Sequence, residues 1–449
     1  MKIDDVIEIE IIAYDHEGIG IGKIDGCPVF IKNTIVGEIV EAKINYVGKK
    51  LMIADLVRII KVSENRNQNP CRYYLRCGGC NIFHMNYSEQ LKFKKQMVID
   101  TLYKVAGIKT EVMDVVANPN PYNYRNKIIV PLGFENDEIV SGFYEAETHK
   151  IVAQDECLIE NKFASIILKR VKELLKKYNI SIYNEEMHQG LARNVMLRVN
   201  NKNEFMLILI VKENRKVFRS LLEEIANEFV EIKSIYLNIN DKKTNVILNQ
   251  DGFIHMFKDK TIIEEINGLL FEVHPNSFLQ VNYLQAKALY NKALEYVTDG
   301  KSQTIIDAYC GIGSITLNLA KKAKEVYGIE VVKEAVINAN RNKELNNINN
   351  AHFICGKCED EILKLKKLNV DTIVFDPPRK GCDERFLNTV IEMNVNHIIY
   401  ISCLTQTFAR DARYLLDHGY ELVRVHPFDL FSQTSHTENL GYFEKIKKM

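Results

Sequence analysis

The fold is decided by the stretch at residues 304–330, which reads TIIDAYCGIGSITLNLAKKAKEVYGIE. An apolar run ends at Ala308, two glycines follow, and a helix-forming segment leads to a second apolar run that ends on Glu330. A strand, a glycine loop, a helix and a strand in this order are typical of a parallel sheet covered by helices. Ligands of such sheets bind at the carboxyl ends of the strands, so we expect the functional site there.

The same alternation continues along the chain and extends the prediction. Helices are predicted over 314–323, 333–346 and 384–393, and strands over 372–375 and 397–401. We therefore predict an α/β fold in which residues 276–449 form a doubly wound, Rossmann-like C-terminal domain.

Two further units are predicted ahead of this domain. Residues 1–62 contain isoleucines that alternate with glutamates over 7–11 and a glycine-punctuated turn over 18–22, which is typical of a small β-barrel of OB type. Residues 63–275 mix helical and strand patterns around a cysteine cluster, so we predict a mixed α+β central domain. Part of 85–127 is assigned to the central domain here but could pack against the C-terminal domain.

Composition restricts the class of protein. The chain has 449 residues, of which 46% are hydrophobic and 26% charged, as in a globular protein of about three domains. Residues 1–5 include two aspartates where a signal peptide needs apolar residues, and the longest apolar run, 205–211, is far shorter than the roughly 18 residues of a membrane helix. We expect a cytoplasmic protein without membrane contact, whose cysteines act as ligands or catalytic groups rather than in disulfides.

The glycine loop predicts the class of cofactor. Gly311 and Gly313 let the backbone approach a ligand closely, and Glu330 is placed to hold the two hydroxyls of a ribose. The loop has two glycines rather than the three of the pyrophosphate fingerprint, which favours a nucleoside cofactor without a pyrophosphate, such as S-adenosylmethionine. Tight packing of strand against helix is the alternative.

Three more polar motifs lie at or after predicted strand ends. At 376–379 (DPPR) two prolines fix an extended turn that lets Asp376 face a planar heterocycle. Cys403 follows the next strand and would be a nucleophile if its thiolate is stabilised; a buried apolar cysteine is the alternative. In the polar run 428–438 either His436 or Glu438 is a candidate base, unless the run is a surface loop.

A cysteine cluster predicts a metal site. Cys71, Cys77 and Cys80 fall within ten residues, and two glycines between the last two allow the chain to wrap tightly. A tetrahedral site needs a fourth ligand, for which Cys157 is the first candidate and His84 a weaker one. By count, four thiolates suit zinc and an iron–sulfur cluster equally well.

The net charge of the whole chain does not indicate a nucleic-acid partner, but the charge of one segment does. The chain is balanced at 59 basic and 59 acidic residues, but 61–127 holds 11 Lys and Arg against 5 Asp and Glu. This segment is either a phosphate-facing patch or an ordinary solvated face.

Together the motifs resemble the RNA 5-methyluridine methyltransferase family, and within it the iron–sulfur branch that acts on 23S ribosomal RNA. The resemblance covers nearly the whole chain. Besides the four cysteines, it rests on the stretches 124–127 (YRNK), 277–282 (SFLQVN), 376–379 (DPPR) and 436–438 (HTE).

The resemblance implies a fold and a set of site residues. The N-terminal barrel would be a TRAM domain, an RNA-binding module, and residues 276–449 a methyltransferase domain that uses S-adenosylmethionine. A 4Fe–4S cluster would be held by Cys71, Cys77, Cys80 and Cys157. The cofactor would be lined by Gln280, Tyr309, Glu330 and Asp376. Asp376 would also lie near the target base, with Cys403 as nucleophile and Glu438 as general base.

The activity implied is methylation of uracil C5 in RNA, by addition of the Cys403 thiolate to C6 and base-assisted elimination. We expect 23S ribosomal RNA as substrate, with transfer RNA as the alternative, and a monomeric enzyme. This sequence departs from the family at Leu404-Thr405, where the usual residues are Asn-Pro, and at Phe83 and Leu279.

Two other functional classes stay open from the sequence. The first is an amino-group methyltransferase, because 376–379 (DPPR) resembles the motif of adenine enzymes. The second is a non-catalytic RNA-binding or assembly factor with a drifted active site, which Leu404-Thr405 would explain. The first needs no thiol, so the effect of removing Cys403 distinguishes it. The second would bind RNA without turning over the cofactor.

Overall fold

The structure is a computed structural model that describes residues 1–68, 70–297 and 303–446. The predicted domains also include Asn69, 298–302 and 447–449, which lie outside the described residues. No helix in the described ranges is long and apolar enough to cross a membrane.

The N-terminal unit is a curled six-stranded sheet in the order β1-β5-β6-β4-β3-β2. Its strands are β1 (Val6–Glu10), β2 (Ala13–Tyr14), β3 (Gly20–Ile24), β4 (Cys27–Ile31), β5 (Ile39–Val47) and β6 (Met52–Lys61). Ile7 and Ile9 point into its core, as their alternation predicts. The predicted glycine turn is wrong in part, because Gly20 and Gly22 belong to β3. A Cβ on Gly22 would lie 2.5 Å from the Ile9 side chain, so the barrel interior needs glycine there.

A long helix and a short strand follow, α1 (Tyr87–Ala106) and β7 (Glu111–Val112). The Asn86 side chain accepts a hydrogen bond from the backbone N–H of Glu89 and caps the start of α1. The helix ends at Gly107, whose φ of 63° is the left-handed conformation common at helix ends.

The central unit is a seven-stranded sheet in the order β10-β9-β8-β11-β12-β13-β14, antiparallel except for the pair β12–β13. Its elements are β8 (Lys127–Glu135), β9 (Glu138–Tyr144), β10 (Ile151–Ala153), α2 (Lys162–Lys177), β11 (Ala192–Val199), β12 (Phe205–Val211), α3 (Val217–Glu228), β13 (Ile232–Ile239) and β14 (Phe253–Lys258). Strand β12 is buried on both faces, which explains its unbroken apolar sequence. One face packs on α2 and α3, and the other faces the C-terminal unit.

The C-terminal unit is an eight-stranded sheet in the order β19-β18-β17-β20-β21-β23-β22-β7. Its elements, with the hairpin and helix that precede it, are β15 (Ile262–Ile266), β16 (Leu269–Val273), α4 (Tyr283–Glu295), β17 (Thr304–Ala308), α5 (Ser314–Leu319), β18 (Glu325–Glu330), α6 (Lys333–Leu345), β19 (Ala351–Cys355), α7 (Cys358–Lys364), β20 (Val370–Phe375), α8 (Glu384–Met393), β21 (His397–Ser402), α9 (Thr405–Asp417), β22 (Tyr420–Phe428) and β23 (Glu438–Lys445). Strands β17 to β21 are parallel, and β23 runs antiparallel to both neighbours. The strand order reverses between β17 and β20, which is where such sheets bind ligands.

Two segments from outside residues 276–449 join this sheet. Strand β7 pairs in parallel with β22, and α1 packs against α9. The β15–β16 hairpin packs on α6, where the Asn346 side chain bonds both the N–H and the carbonyl of Leu270, at 2.8 and 2.7 Å. The hairpin thus lies on the C-terminal unit although the sequence places it in the central domain. The helix predicted over 314–323 ends early, at Leu319, because the chain turns there toward β18.

Candidate active site and cysteine cavity

Three neighbouring parallel strands end at one edge of the C-terminal sheet. Ala308 of β17 is in register with Phe375 of β20, which is in register with Tyr400 of β21. The residues that follow these strands therefore meet at the strand-order reversal. They are Tyr309, Asp376 and Cys403.

The glycine loop after β17 lies against Glu330. The backbone N–H of Gly311 donates to Glu330 Oε2 at 3.0 Å. A Cβ on Gly313 would lie 2.7 Å from the Phe353 ring, so only glycine fits there. Tyr309 holds φ of 64°, a conformation that costs a non-glycine residue free energy and that is concentrated at functional sites. The other carboxylate oxygen, Glu330 Oε1, accepts from the Val332 N–H at 2.9 Å, so Glu330 is fixed against the loop.

Gln280 joins this edge from the segment before α4. Its Nε2 donates to Asp376 Oδ2 at 3.3 Å, and its carbonyl accepts from Asn126 Nδ2 at 2.9 Å. Burial raises the pKa of Asp376 to about 7, and the hydrogen bond from Gln280 opposes that rise. The Asp376 side chain can therefore act as either donor or acceptor toward a planar ring near neutral pH.

Cys403 and Glu438 face each other across two antiparallel strands. Ser402 of β21 is in register with Asn439 of β23, so the next pair along is Cys403 and Glu438. The Glu438 side chain is 1% exposed, and its Oε1 has no hydrogen-bond partner among the described residues. Burial and the nearby Asp376 charge raise the pKa of Glu438 well above its usual range, while Arg379 acts in the opposite sense.

The same charges act on the thiol. Burial, Glu438 and Asp376 raise the pKa of Cys403 to about 11, and Arg379 partly offsets them. Cys403 and Glu438 therefore both hold a proton more tightly than usual. Such a pair of thiol and carboxyl groups is suited to proton exchange with a bound substrate. Of the two candidate bases, Glu438 lies at the thiol, whereas His436 is exposed.

The segment 429–437, which leads to Glu438, is anchored by α1. Lys94 Nζ lies 2.5 Å from Asp429 Oδ1 in an ion pair whose side chains are 0% and 1% exposed, and it also donates to the carbonyl of Phe431 at 3.1 Å. Farther along, the Gln90 side chain donates to Gln433 Oε1 at 2.8 Å. These long-range contacts fix the segment from outside the sheet.

The cysteine-rich loop contacts the same segment through Asn81, the residue after Cys80. Asn81 Nδ2 donates to Ser435 Oγ at 2.9 Å, and the Ser435 N–H donates to Asn81 Oδ1 at 2.8 Å. A third bond runs from Asn81 Nδ2 to the Glu17 carbonyl of the barrel, at 2.9 Å. The Asn81 side chain thus connects the barrel, the cysteine-rich loop and the segment that leads to the candidate active site.

The buried ion pair predicts a strong effect on stability. Replacing Lys94 with methionine leaves Asp429 charged and unpaired in the interior, which should cost about 3–5 kcal/mol. The adjacent Lys95 pairs with Asp114 at the surface, so Lys95→Met should cost no more than about 1 kcal/mol. Thermal melting, with hydrogen exchange measured over 429–437, checks both; equal melting temperatures for the two variants would contradict the structural role of Lys94.

The four predicted metal ligands come together around one cavity. Cys71, Cys77, Cys80 and Cys157 line a space of about 170 Å³, and none of them is in a disulfide. The part of the chain that the structure describes contains no group of three or more His, Cys, Asp or Glu side chains that could hold a metal ion. His84 is no ligand candidate here, because its ring nitrogens bond the Tyr74 hydroxyl at 2.6 Å and the Thr34 carbonyl at 3.2 Å.

The basic segment 61–127 is less cationic than its composition suggests. Six of its basic side chains form ion pairs with carboxylates in the described ranges. The pairs are Arg66 with Glu38, Arg72 with both Asp155 and Glu156, Lys92 with Glu89, Lys94 with Asp429, Lys95 with Asp114, and Lys104 with Asp100. The predicted phosphate-facing patch is thus largely a set of paired side chains.

Comparison with known families and proteins identifies two matching family profiles. The profile described as tRNA (Uracil-5-)-methyltransferase matches residues 86–446, and the TRAM domain profile matches 3–57. The first match begins at the cap of α1, in line with the packing of α1 on the C-terminal sheet. An amino-group methyltransferase, considered from the DPPR motif, is not the family that matches.

Relatives are similar over almost their full length. A protein of Clostridium tetani (strain Massachusetts / E88) described as an uncharacterized RNA methyltransferase is 40% identical, over 98% of this chain and 96% of its own. One from Listeria innocua with the same description is 39% identical over 98% and 97%. Among solved structures, the Pyrococcus abyssi tRNA (uracil-54, C5)-methyltransferase in complex with S-adenosyl-L-homocysteine has a TM-score of 0.78, at 28% identity over 97% of this chain and 99% of that one.

Proposed function

The chain belongs to the tRNA (uracil-5-)-methyltransferase family and is an S-adenosylmethionine-dependent RNA methyltransferase, and on that premise we propose that it forms 5-methyluridine in 23S ribosomal RNA. The observation that carries the reaction is the meeting of Cys403, Glu438 and Asp376 beside the glycine loop. Nucleoside analysis of ribosomal and transfer RNA, described at the end of the Discussion, tests it.

The cofactor is proposed to lie along the strand-order reversal. Gly311 and Gly313 would let it approach the backbone, Glu330 would hold the ribose, and Tyr309 and Gln280 would line its sides. S-adenosylmethionine supplies an electrophilic methyl group at this position. The bond from Gln280 to Asp376 supports a position of Asp376 between the cofactor and the uracil ring.

Cys403 is proposed to start the reaction by covalent addition. C5 of uracil is a poor nucleophile, but addition of the Cys403 thiolate to C6 moves the C5–C6 electron pair toward C5 and the C4 oxygen. Asp376, whose pKa of about 7 keeps a proton available near neutrality, would donate to a ring oxygen. Arg379, whose charge opposes the rise in the pKa of Cys403, would favour the thiolate.

Glu438 is proposed to end the reaction. After C5 has taken the methyl group, the C5–H proton must leave so that the C5–C6 double bond re-forms and expels the Cys403 sulfur. A carboxylate with a raised pKa is a competent base for this step, and Glu438 is buried opposite Cys403. The target uridine must leave its stack to reach this edge, so single-stranded or flipped uridines are the expected substrates.

We propose that the cysteine cavity holds a 4Fe–4S cluster. The four thiols line one space of about 170 Å³, which supports a group larger than a single ion. Because Asn81 next to Cys80 bonds Ser435, such a cluster would act structurally by fixing the 429–437 segment.

The cluster predicts a defined metal content. The wild-type protein purified without oxygen should carry about four iron and four sulfide per chain. Cys157→Ala should lose most of both, together with the visible absorbance, while Cys27→Ala in the barrel should keep them. Metal and acid-labile sulfide analysis provides the measurement, and a single zinc without sulfide in the wild type would contradict the proposal.

The choice between RNA substrates rests on the cysteines. The resemblance to the iron–sulfur branch favours 23S ribosomal RNA, and the cavity lined by four cysteines supports that choice. Transfer RNA is the second candidate, because the similar Pyrococcus abyssi enzyme is described as acting on tRNA uracil 54.

A further inference from the structure

Two cations that have no carboxylate partner among the described residues lie beside the proposed active site. Lys127 of β8 and Arg198 of β11 are direct partners across the two strands, so their side chains share one face of the sheet. On that face Met196 and Ile129 pack toward the C-terminal unit, whereas their sequence neighbours pack into the central core. The cation pair, Lys127 and Arg198, is therefore turned toward the C-terminal unit.

The two side chains have few hydrogen-bond partners and no ion-pair partner among the described residues. Arg198 is 4% exposed; its Nη2 donates to the Ser277 carbonyl, and its Nε has no partner among the described residues. Lys127 is half-buried and forms no ion pair or side-chain hydrogen bond within the described ranges. Burial and the charge of Arg198 lower the pKa of Lys127 to about 8. Adjacent like charges out of water are costly unless an anion joins them.

Two other buried cations have carboxylate partners, since Arg66 pairs with Glu38 and Lys94 with Asp429. Arg193 has none, but its guanidinium donates to the carbonyls of Asn240 and Lys242. The cation pair differs in that two cations are adjacent, without a carboxylate in the described part of the chain and with Arg198 Nε unbonded, which makes it a place for an anion from outside. A phosphodiester matches a guanidinium and an ammonium in both charge and hydrogen-bond acceptors.

The residues around the cation pair indicate which anion binds there. Ser277, which bonds Arg198, lies three residues before Gln280, and Asn126 next to Lys127 bonds both the Gln280 carbonyl and, through its N–H, the Val281 carbonyl at 2.8 Å. Between them Phe278 is 65% exposed. Phe278 directly follows the residue whose carbonyl Arg198 bonds. Exposed aromatic rings together with cations are the groups by which proteins hold the base and phosphate of single-stranded nucleic acid.

We propose that Lys127 and Arg198 form a binding site for one backbone phosphate of the RNA, close to the nucleotide that enters the active site. This inference rests on the proposed function, since it takes RNA as the substrate. The site would position the strand relative to Gln280 and Asp376 and would not take part in bond making. Its chemistry is shared with the carboxylate of the cofactor, so the test separates the two ligands.

The experiment uses the full-length protein and the variants Lys127→Met, Lys127→Arg and, as control, Lys202→Met at an exposed lysine in the turn between β11 and β12. Affinity for a 20-nucleotide oligouridine is measured by fluorescence anisotropy at several salt concentrations, and affinity for S-adenosylhomocysteine by calorimetry. For Lys127→Met we expect about a tenfold weaker RNA affinity and a salt slope smaller by about 0.7, the value for one phosphate of a single strand. Lys127→Arg and Lys202→Met should bind like the wild type, and the S-adenosylhomocysteine affinity should not change in any variant.

Two outcomes would overturn the inference. RNA affinity and salt slope that stay unchanged in Lys127→Met would show that the cation pair is only structural. A loss of S-adenosylhomocysteine affinity without a loss of RNA affinity would assign the site to the cofactor. Formation of 5-methyluridine by the wild-type preparation is measured in parallel, so failure of the proposed function is seen separately from failure of the phosphate site.

Discussion

Replacing Cys403 with alanine should abolish formation of 5-methyluridine, with a loss of at least about a thousandfold in turnover, because the thiol is the group proposed to add to C6. Binding of RNA and of S-adenosylhomocysteine should persist within about threefold, since the thiol carries little of the binding energy. The measurement is incorporation of labelled methyl groups into RNA under single-turnover conditions.

The matched control for this variant is Cys27→Ala. Cys27 lies in strand β4 of the barrel, in neither of the two proposed sites, and its removal should leave turnover unchanged. Retention of full activity by Cys403→Ala would refute covalent catalysis and return the chain to the class of methyltransferases that need no nucleophile.

Replacing Glu438 with glutamine should stop the reaction one step later. The amide cannot accept the C5 proton, so the methylated uracil should stay bound to Cys403 and the RNA should migrate with the protein on a denaturing gel. Turnover should fall by about 10²- to 10⁴-fold, as expected for loss of a general base. The trapped nucleotide should already carry the methyl group, which digestion and mass spectrometry would detect.

Two comparisons make the Glu438 experiment specific. Glu444→Gln, at an exposed position of the same strand, should release its product like the wild type. The double variant Cys403→Ala with Glu438→Gln should form no adduct, because the covalent bond comes first. Normal release of 5-methyluridine by Glu438→Gln would show that another group removes the proton.

The sequence predicts the C-terminal sheet well because its signals are local. Glycines, an acid and prolines each mark the end of a strand, and parallel strands bring their ends together by topology alone. Hence Tyr309, Asp376 and Cys403 meet at one edge as the alternation of elements predicts, and Gly311 contacts Glu330 directly.

The sequence is a poorer guide where contacts are long-range. Nothing near Lys94 indicates that it pairs with Asp429, 335 positions away. Nor does the sequence show that the β15–β16 hairpin packs on α6, because an isolated apolar alternation does not specify which sheet covers it.

Single polar residues are equally hard to place from sequence. His84 looks like a ligand beside three cysteines, yet a tyrosine hydroxyl and a backbone carbonyl take up its nitrogens. The basic segment 61–127 looks like an RNA-binding patch, but six of its side chains pair with carboxylates, four of them outside α1 and two within it. Lys127 and Arg198, which retain no carboxylate partner among the described residues, are not distinguished by composition.

The most direct test of the account uses RNA from cells that lack this gene. That RNA is incubated with the full-length protein and S-adenosylmethionine, ribosomal and transfer RNA are separated, and 5-methyluridine is quantified by nucleoside mass spectrometry. We predict new 5-methyluridine in 23S ribosomal RNA and none with Cys403→Ala. New 5-methyluridine in transfer RNA alone would overturn the proposed substrate, and none in either pool, with iron and sulfide bound to the protein, would contradict the proposed reaction and favour a non-catalytic RNA-binding factor.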